Sequence, residues 1–380
     1  MKIVYISNNR MPTELANGLQ VAQMCGAFSE AGNEVELVVP RRVNSIKQSV
    51  FDYYKIKDNF FIKKIVCADL IFLNKGKFFF WLETVTFLLS ARIYLFFNRY
   101  DILYTREQIA GLFFGNFVLE IHSLPKKITF FHKLIWKKAS ALVVLTGFIK
   151  DRLVSEGVEA KKIMVASDGV DLAKFDIDIS KDEARRVLGL PLNKKLIGYV
   201  GMLRTLGMEK GLDVAIKALG LLRSQNVSLV LVGGYQKDID LYKDMAVGLG
   251  VMDRLIFVSK VDHGRIPLYL KAFDVLIAPF PETEHYNFYM SPLKIFEYMA
   301  SKRPIIATNL PSIKEVLNGG NAVLVKPGDE AELAEAMDDI LGKKDLSEKL
   351  AAKAFVDAGE RTWIKRAVKI LDFIAKIKII

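Results

Sequence analysis

The chain has 380 residues, a length typical of two domains that are each large enough to bury a core. Apolar residues make up 51% of it, which is a globular composition. The formal net charge is +11, but no recognised nucleic-acid motif accompanies the basic residues, so we do not expect a nucleic-acid partner.

The N-terminal half alternates apolar runs with helical stretches. Residues 3–6 predict a strand and not a signal peptide, because they lead directly into the polar residues 7–10. A helix over about 18–31 and a strand over 34–39 follow, and this order predicts a parallel, doubly wound sheet. Further strands are predicted at 102–104, 117–121, 141–145 and 163–165, with a helix over about 147–156 before the last of them.

Asn17-Gly18 stands where the long loop after the first strand enters a helix. Because Gly18 has no side chain, it lets the backbone approach a ligand closely, and we take it as a candidate ligand-binding residue. No Gly-x-Gly-x-x-Gly motif follows the first strand, which argues against a dinucleotide dehydrogenase.

Two stretches of the first half combine lysines with aromatic residues, a composition that suits an anionic membrane surface. Residues 78–97 are nearly long enough to span a bilayer, but Glu83 and Arg92 lie within them, so we predict a domain helix that touches a membrane. The alternative is that the aromatics are core and the lysines a solvated rim. The first stretch holds Lys47, Lys55, Lys57, Lys63, Lys64, Lys75 and Lys77 before Phe78-Phe79-Phe80-Trp81, and the second holds Lys126, Lys127, Lys133, Lys137 and Lys138 among Phe130, Phe131 and Trp136.

The C-terminal half repeats the strand and helix alternation. Strands are predicted at 196–200, 229–232, 255–258, 275–278, 305–307 and 322–325, with a helix over about 210–224. Residues 170–193 are polar and show no strand pattern, so we predict a linker there. Sheets of this kind bind ligands at the carboxyl ends of their strands, and two of them are expected to face each other across a cleft.

A glycine-bounded loop follows the strand at 196–200. It runs from Gly201 to Gly211 and carries Arg204 and Lys210 before the next helix. Such a loop can neutralise a diphosphate by charge-assisted contacts, although a solvated basic loop is the commoner outcome for this pattern alone.

The most informative segment begins at Ser291-Pro292, which predicts a helix cap and a first-turn proline. The first N–H groups of such a helix attract phosphate. Glu297 lies one turn further in, on the face of Leu293 and Lys294, where its carboxylate can accept hydrogen bonds from a diol such as ribose. Taken alone, Glu297 would be read as a solvated helix carboxylate.

This segment resembles the donor-site signature of the retaining glycosyltransferases of family 4, in the glycosyl transferases group 1, which have the GT-B fold. The resemblance implies two doubly wound, Rossmann-like domains across a cleft: residues 1–172 on the acceptor side, residues 173–361 for the nucleotide sugar, and a terminal helix within 362–380 that crosses back. It also implies that the helix start holds the diphosphate, that Glu297 binds the ribose, and that Arg204 and Lys210 match a family pair. The strand edge at Val258 resembles the base-binding edge.

One departure from the family pattern concerns the donor sugar. The family usually carries a second glutamate eight residues before the one matching Glu297, and this chain has Tyr289 there. His285, just before the predicted helix, is another residue that can touch the sugar, although a solvated loop histidine is the more common outcome.

In the first half, His122 follows the strand at 117–121 and is expected at the carboxyl end of that strand. There it can hydrogen-bond a sugar hydroxyl or the transition state, and the family often has a histidine at this place. Arg106 follows the strand at 102–104 and is a candidate for holding the acceptor, with an ion pair to Glu107 or Glu120 as the alternative.

The function predicted by the resemblance is retaining transfer of a sugar, of the hexosyltransferase type, from a nucleotide-diphosphate sugar to a lipid-linked or surface-polysaccharide acceptor. Two alternatives stay open: an epimerase or hydrolase of nucleotide sugars on the same fold, and a non-catalytic subunit that binds nucleotide sugars, which Tyr289 favours. No residues have metal-ligand spacing, so metal-independent chemistry without a cofactor is expected.

Cys25 and Cys67 lack metal or redox spacing, which favours a reducing, cytoplasmic location, with peripheral attachment to the cytoplasmic face of a membrane as an option. The predicted catalytic residues are His122, Arg204, Lys210 and Glu297. The predicted donor-binding residues are Gly18, Arg204, Lys210, Val258, Ser291, Pro292, Leu293, Lys294 and Glu297, and the predicted acceptor-binding residues are Arg106 and His122.

Overall fold

The structure is a computed structural model that describes residues 1–70, 76–205 and 207–377. Lys75, one of the lysines singled out above, lies outside this range. The chain forms two compact units: unit 1 comprises Met1–Asp168 and Trp363–Ile380, and unit 2 comprises Gly169–Thr362. The division therefore falls slightly before the predicted boundary at 172/173. The reason is that Val170 is buried in the core of unit 2, where its N–H donates to the carbonyl of Arg361 at 3.0 Å.

Unit 1 is built on a seven-stranded, fully parallel sheet with the order β3-β2-β1-β4-β5-β6-β7. Its strands are β1 (Lys2–Ile6), β2 (Glu34–Pro40), β3 (Phe61–Ile65), β4 (Ile102–Thr105), β5 (Val118–Ile121), β6 (Ala141–Val144) and β7 (Ile163–Val165). Its helices are α1 (Ala16–Glu30), α2 (Val50–Tyr54), α3 (Lys77–Phe97), α4 (Phe130–Lys138) and α5 (Gly147–Ser155), with 3₁₀ turns at Gln108–Leu112 and Ala160–Lys162. The predicted doubly wound sheet is confirmed.

Strand β3 is the one strand of this sheet that the sequence did not indicate. It lies at the sheet edge and pairs only with β2. Because its residues are mostly exposed, it carries Lys63 and Lys64 where an interior strand carries apolar residues. Charged residues of this kind protect an edge strand from pairing with other chains, and they also remove the apolar pattern by which strands are predicted.

Helix α3 packs on unit 1 through one face only. Phe87 and Leu88 are fully buried, and Glu83 on the same face accepts hydrogen bonds from Arg42 at 3.0 and 2.5 Å. The opposite face is apolar but exposed. Among the described residues, Phe78–Phe97 is one helix long and apolar enough to cross a membrane, with a mean hydropathy of 1.4, but a third of it is buried in the unit. The paired Glu83 shows that α3 is a helix of the domain.

Unit 2 contains a six-stranded parallel sheet with the order β10-β9-β8-β11-β12-β13. Its strands are β8 (Lys195–Val200), β9 (Val227–Gly234), β10 (Leu255–Ser259), β11 (Val275–Ala278), β12 (Ile305–Thr308) and β13 (Val323–Val325). Its helices are α6 (Leu172–Phe175), α7 (Lys181–Leu188), α8 (Leu212–Leu221), α9 (Gln236–Gly248), α10 (Ile266–Ala272), α11 (Leu293–Ala300), α12 (Pro311–Lys314), α13 (Glu330–Gly342) and α14 (Lys344–Gly359). Short turns of 3₁₀ helix lie at Met252–Arg254 and His263–Arg265, and a π-helical turn lies at His285–Tyr289.

Alternate residues of the central strands of unit 2 face two separate apolar layers. Val230 and Leu276 belong to one layer, and Leu229 and Val275 to the other. Strands buried on both faces read as continuous apolar runs, which is why they were predicted correctly. The strand order is that of a Rossmann-type sheet. From β8 the chain adds strands first on one side, β9 and β10, and then on the other, β11 to β13, so the switch point of the topology lies between β8 and β11.

The predicted linker at 170–193 is wrong. The segment contains α6 and α7, and α7 packs on α10. Arg185 is 2% exposed and donates to Asp274 at 2.6 Å, while Ser180 caps α7 and Gly189 ends it in a left-handed conformation. Charged residues on a short helix removed the apolar pattern, although the two end signals were present in the sequence.

The last helix, α15 (Trp363–Lys376), belongs to unit 1 although it follows all of unit 2 in the chain. It packs on α1, with Ala367 and Ile370 fully buried. The terminal helix predicted within 362–380 therefore forms and joins the first unit.

Candidate functional site

The carboxyl ends of β8, β9 and β11 and the start of α11 meet at the point where the strand order of unit 2 reverses. Gly201 follows β8 with φ of +135°, and a Cβ atom there would lie 2.9 Å from Lys294 Nζ. Gly233 packs closely against the backbone of Gly201, since a Cβ atom on Gly233 would lie 2.6 Å from the carbonyl oxygen of Gly201. The Tyr298 hydroxyl accepts from Val200 N–H at 2.8 Å and so fixes α11 to the end of β8. Ligands bind at such switch points in open α/β sheets.

Lys294 is the most unusual side chain of this site. Its Nζ is buried and has no hydrogen-bond partner within the described ranges. It lies 3.6 Å from the ring centroid of Tyr199 and 5.4 Å from that of Phe280. Burial, together with the neighbouring charge of Lys210, lowers the pKa of Lys294 well below its usual value. A buried amine without a partner is costly unless a ligand pairs with it, and an anion at this point would do so.

Lys210 lies close by on the loop before α8. Its Nζ donates to the Tyr286 hydroxyl at 2.9 Å and lies 5.0 Å from the centroid of the same ring. Burial lowers its pKa. The Tyr286 hydroxyl in turn donates to the carbonyl of Glu209 at 3.0 Å, which holds the π-helical turn against the loop. Two amines with lowered pKa therefore face the same space, and both would be stabilised as cations by a diphosphate.

Arg204 lies on the same loop and is held there by Glu209. Its Nη2 pairs with Glu209 Oε1 at 2.9 Å and donates to the carbonyl of Gly207 at 3.0 Å. Glu209 is itself fixed by the Tyr242 hydroxyl, which donates to Oε2 at 2.6 Å. The Nε of Arg204 is buried and has no hydrogen-bond partner in the part of the chain that the structure describes. One donor of this guanidinium is therefore left for a ligand.

Glu297 does not lie free on the helix surface. Its Oε1 is 3.4 Å from Nε2 of His263, and Nδ1 of His263 is 3.0 Å from Nζ of Lys174. The side chain of Glu297 is 14% exposed. The alternative of a solvated helix carboxylate is therefore wrong, because the carboxylate is largely buried and lies beside the His263 ring.

The start of α11 differs from the sequence prediction. The helix begins at Leu293, Pro292 occupies the cap position with an extended backbone, and no side chain caps the helix. The prediction of Ser291 as the cap and Pro292 in the first turn is therefore wrong. Because Pro292 keeps ψ at 118°, the first helical turn starts one residue later. Leu293 and Lys294 then supply the first helical N–H groups.

The segment before α11 forms a π-helical turn that carries His285 and Tyr289. The Tyr289 hydroxyl donates to Glu284 at 3.3 Å. His285 is exposed, and partial burial and the charge of Lys210 lower its pKa. At the other edge of the sheet, Val258 is half-buried in β10, next to an irregularity in the pairing with β9.

A second group of predicted residues meets in unit 1. β4 and β5 are neighbours in the sheet, so Arg106 and His122 follow adjacent strand ends. Arg106 donates to Gln20 at 3.2 Å, and the structure records no ion pair from it to Glu107 or Glu120 within 4.0 Å in the described residues. Nε2 of His122 lies 2.6 Å from Oε1 of Glu120. Burial and the charge of Arg106 lower the pKa of His122 to about 4, so the ring is neutral at pH 7.

The structure gives a packing reason for a glycine at position 18, which differs from the predicted contact with a ligand. It lies within α1, where a Cβ would be 2.3 Å from the Tyr54 hydroxyl and 2.4 Å from Cγ2 of Thr13. Tyr54 donates to the carbonyl of Thr13 and accepts from its N–H. The close approach at Gly18 is thus made by the protein itself. A ligand contact at Gly18 stays a prediction.

Sequence reasoning missed several residues of the site in unit 2. Tyr199, Phe280 and Tyr286 lie next to the two lysines, and His263 lies beside Glu297. Phe280 comes two residues after the end of β11, a position that could have marked it as a strand-end residue. His263 lies in a short turn far from Glu297 in the chain, and no local pattern connects the two. Among the described residues, no three potential metal ligands cluster.

Comparison with known proteins agrees with this geometry. A family model described as glycosyl transferases group 1 matches residues 194–343, which hold the loop with Arg204 and Lys210 and all of α11. Residues 194–343 form a glycosyl transferases group 1 domain. The chain is 30% identical over 195 residues to the lipopolysaccharide core biosynthesis mannosyltransferase LpsB of Rhizobium meliloti, covering 50% of this chain and 49% of that protein. It is 28% identical over 246 residues to a D-inositol 3-phosphate glycosyltransferase of Stackebrandtia nassauensis, covering 62% and 53%. The chain spans about half the length of the curated relatives it matches.

Solved structures extend the likeness to the whole chain. HepE of Anabaena, crystallised with UDP and glucose, has a TM-score of 0.74 at 17% identity, and 99% of each chain is covered. A sucrose-phosphate synthase of Thermosynechococcus elongatus has a TM-score of 0.78 at 19% identity, with 99% of this chain and 98% of the other covered. With its two parallel sheets, the protein that carries this glycosyltransferase domain has the GT-B fold, as predicted.

Proposed function

We propose that the protein is a glycosyltransferase that moves a sugar from a nucleotide-diphosphate sugar to an acceptor. The observation that carries this proposal is Lys294, a buried amine that has no hydrogen-bond partner among the residues that the structure describes. It lies beside Lys210 at the switch point of a glycosyl transferases group 1 domain. HepE was crystallised with UDP and with UDP-glucose, which makes these two molecules the first ligands to try here.

Charge development explains why these residues would promote transfer. When the bond between sugar and phosphate breaks, negative charge grows on the departing diphosphate. Lys210, Lys294 and the free donor of Arg204 stabilise that charge more strongly as it grows than before the bond breaks, which lowers the barrier. Arg204 is held by Glu209 and Lys210 by the Tyr286 hydroxyl, so these two donors would need little rearrangement during the reaction. Glu297, which lies 3.4 Å from Nε2 of His263, would accept hydrogen bonds from the ribose diol.

We further propose transfer with retention of configuration and without a metal ion, of the hexosyltransferase type. The acceptor hydroxyl would attack from the face that the phosphate leaves, and a phosphate oxygen would take its proton. The cations named above would then do what a metal ion does in other transferases. His122, neutral at pH 7, would accept a hydrogen bond from a sugar hydroxyl.

For the acceptor we propose a lipid-linked or surface-polysaccharide molecule, reached from the cytoplasmic face of a membrane. The exposed face of α3 supports this, because Phe78, Trp81, Ile93 and Phe96 are between 51% and 82% exposed. Such a contiguous apolar surface marks an interaction site.

Helix α4 contributes to the same proposal at its first turn. Phe130 and Phe131 are 73% and 63% exposed, and the exposed Lys126 and Lys127 precede them. Exposed aromatics with neighbouring cations fit the interface of an anionic bilayer, where each basic residue adds about 1 kcal/mol of binding free energy.

Sedimentation with liposomes tests the membrane contact. A variant with Phe130 and Phe131 changed to Ser should lose binding to anionic vesicles, whereas Val247→Ser, at a similarly exposed position of unit 2, should keep it. Binding of the wild type should fall as salt is raised. Equal binding by both variants would contradict the contact.

The transfer itself is tested by incubating the protein with a panel of nucleotide-diphosphate sugars, with and without membrane extract. We expect release of the nucleoside diphosphate that depends on the extract. Release without any acceptor would instead favour a hydrolase or epimerase. Binding without release would favour a non-catalytic subunit, the alternative that Tyr289 motivates.

A further inference from the structure

A buried charged cluster in unit 1 connects the C-terminal helix to His122. Arg366 in α15 and Glu120 in β5 are 4% and 3% exposed. Nη2 of Arg366 donates to Oε1 of Glu120 at 3.0 Å, and the same oxygen lies 2.6 Å from Nε2 of His122. The Tyr104 hydroxyl donates to the other oxygen of Glu120. The carboxylate of Glu120 thus contacts the side chains of an arginine, a histidine and a tyrosine.

The position of Arg366 is fixed by several further contacts. Its Nε donates to the carbonyl of Ser167 at 2.9 Å, and its Nη2 also donates to the carbonyl of Ala166 at 3.1 Å. Its Nη1 lies 2.8 Å from the sulfur of Met24. A guanidinium held on all sides has one geometry, so the carboxylate that it faces has one as well.

These contacts determine the protonation of His122. An ionised carboxylate can only accept hydrogen bonds, so the proton of the imidazole lies on Nε2. A carboxylate facing an imidazole alone would also favour a second proton on the ring, which would turn it into a cation. The charge of Arg366 balances that of Glu120 and removes this tendency.

We propose that Glu120 and Arg366 are positioning residues for His122: Glu120 fixes the ring proton on Nε2, and Arg366 offsets the charge of Glu120 so that the ring stays neutral. The Nδ1 lone pair is then available to accept a hydrogen bond from a substrate hydroxyl. The identity of that hydroxyl rests on the proposed function, but the state of the ring does not. This role would explain why α15, which follows all of unit 2 in the chain, packs in unit 1: it brings Arg366 to Glu120.

The charges around His122 come from three elements. Arg106 follows β4, Glu120 lies in β5 and Arg366 in α15. Burial and Arg106 lower the pKa of His122, against the opposing effect of Glu120. Burial raises the pKa of Glu120, but Arg366 and His122 hold it well below its usual value. The directions agree with an ionised Glu120 next to a neutral imidazole.

Nitrogen-15 NMR of histidine-labelled protein reads the ring directly, because the chain has only 4 histidines and His122→Gln identifies the signal of interest. We expect a protonated Nε2 and an unprotonated Nδ1 that stay unchanged between pH 8 and pH 6. A proton on Nδ1, or an imidazolium at pH 7, would overturn the proposal.

Variants at position 366 separate positioning from mere packing. Arg366→Met leaves the charge of Glu120 unbalanced, so the pKa of His122 should rise by about 1 unit or more. Arg366→Lys keeps the charge and should keep the ring neutral. Lys369→Gln, an exposed site on the same helix, serves as the control and should change nothing. An unchanged titration of His122 in Arg366→Met would overturn the proposal.

If Arg366→Met does not fold, the double variant Glu120→Gln/Arg366→Met removes both buried charges together and should fold with a neutral His122. An imidazolium at pH 7 in this double variant would contradict the proposal, because no carboxylate remains to charge the ring.

The NMR result is independent of any transferase assay, so a failure of the proposed function would not affect the conclusion about His122. In that assay, Arg366→Met should recover turnover as the pH is raised above the new pKa of His122.

Discussion

Replacing Lys294 by Met should make the protein more stable and, at the same time, a poorer binder of nucleoside diphosphates. Met reproduces the lysine side chain as far as Cε, but removes the amine between the Tyr199 and Phe280 rings, which has no hydrogen-bond partner among the described residues. An unsatisfied buried polar group costs about 1–3 kcal/mol, and the contact with the Tyr199 ring offsets at most about 2 kcal/mol of it. We therefore expect a net gain of about 1 kcal/mol, which raises Tm by about 2–4 °C in a unit of this size.

The pH dependence of this gain distinguishes the buried amine from a simple packing effect. In the folded protein the pKa of Lys294 is lowered, so below the unfolded value of about 10.4 the unfolded state binds more protons. Wild-type stability should then rise with pH toward that value, by up to about 1.4 kcal/mol for each pH unit between the two pKa values. The advantage of Lys294→Met should therefore be largest at low pH, below the lowered pKa of Lys294, and shrink as the pH rises toward 10.

The difference in stability is measured by thermal and urea unfolding of wild type and Lys294→Met. Lys217→Met, at an exposed lysine of α8, is the control. Binding of a nucleoside diphosphate should weaken by about 10- to 150-fold in Lys294→Met, the equivalent of a charged hydrogen bond of about 1.5–3 kcal/mol. If Lys294→Met is less stable than wild type, or if the difference does not vary with pH, then Lys294 is satisfied in a way that the structure does not show.

Four further substitutions test the diphosphate site, the ribose contact and the packing of α1. Arg204→Ala and Lys210→Ala should each raise the barrier to transfer by about 2.7–4 kcal/mol in steady-state kinetics and barely change Tm, and wild-type rates in both would refute the assigned diphosphate site. Glu297→Gln should weaken calorimetric binding of the nucleoside diphosphate, because an amide accepts ribose hydrogen bonds less strongly than a carboxylate, and unchanged affinity would mean that the ribose lies elsewhere. Gly18→Ala should lower the free energy of unfolding by about 1–3 kcal/mol, because the new methyl group meets the Tyr54 hydroxyl, and an unchanged urea midpoint would show that α1 can shift.

The central strands that the sequence identified share one physical property, burial on both faces. β8, β9 and β11 are continuous apolar runs because helices cover both sides of the sheet. β3 was missed for the opposite reason, since an exposed edge strand needs charge more than apolar residues. The segment with α7 was taken for a linker because its one buried charged residue, Arg185, is hidden in a polar stretch. Its contact with Asp274 joins distant parts of the chain, and only folding brings them together.

The candidate site divides in the same way. Lys210, Lys294 and Glu297 could be found from the sequence because each lies in a segment with a local motif, the loop 201–211 for Lys210 and the helix start after Ser291 for the other two. The residues that give them their properties could not, because Tyr199, Tyr286 and His263 reach the site from other strands and turns. The link from Arg366 to Glu120 joins residues 246 positions apart, and no spacing rule connects them.

The central claim is that unit 2 binds the diphosphate of a nucleotide sugar at Lys294. Calorimetric titration with UDP, in two buffers of different ionisation enthalpy, tests it most directly, because an anion restores the pKa of the buried amine and makes it take up a proton. We predict binding that requires the diphosphate, so that uridine binds far more weakly, together with proton uptake that disappears in Lys294→Met. Equal binding of UDP and uridine, or the same proton uptake in wild type and Lys294→Met, would contradict the account.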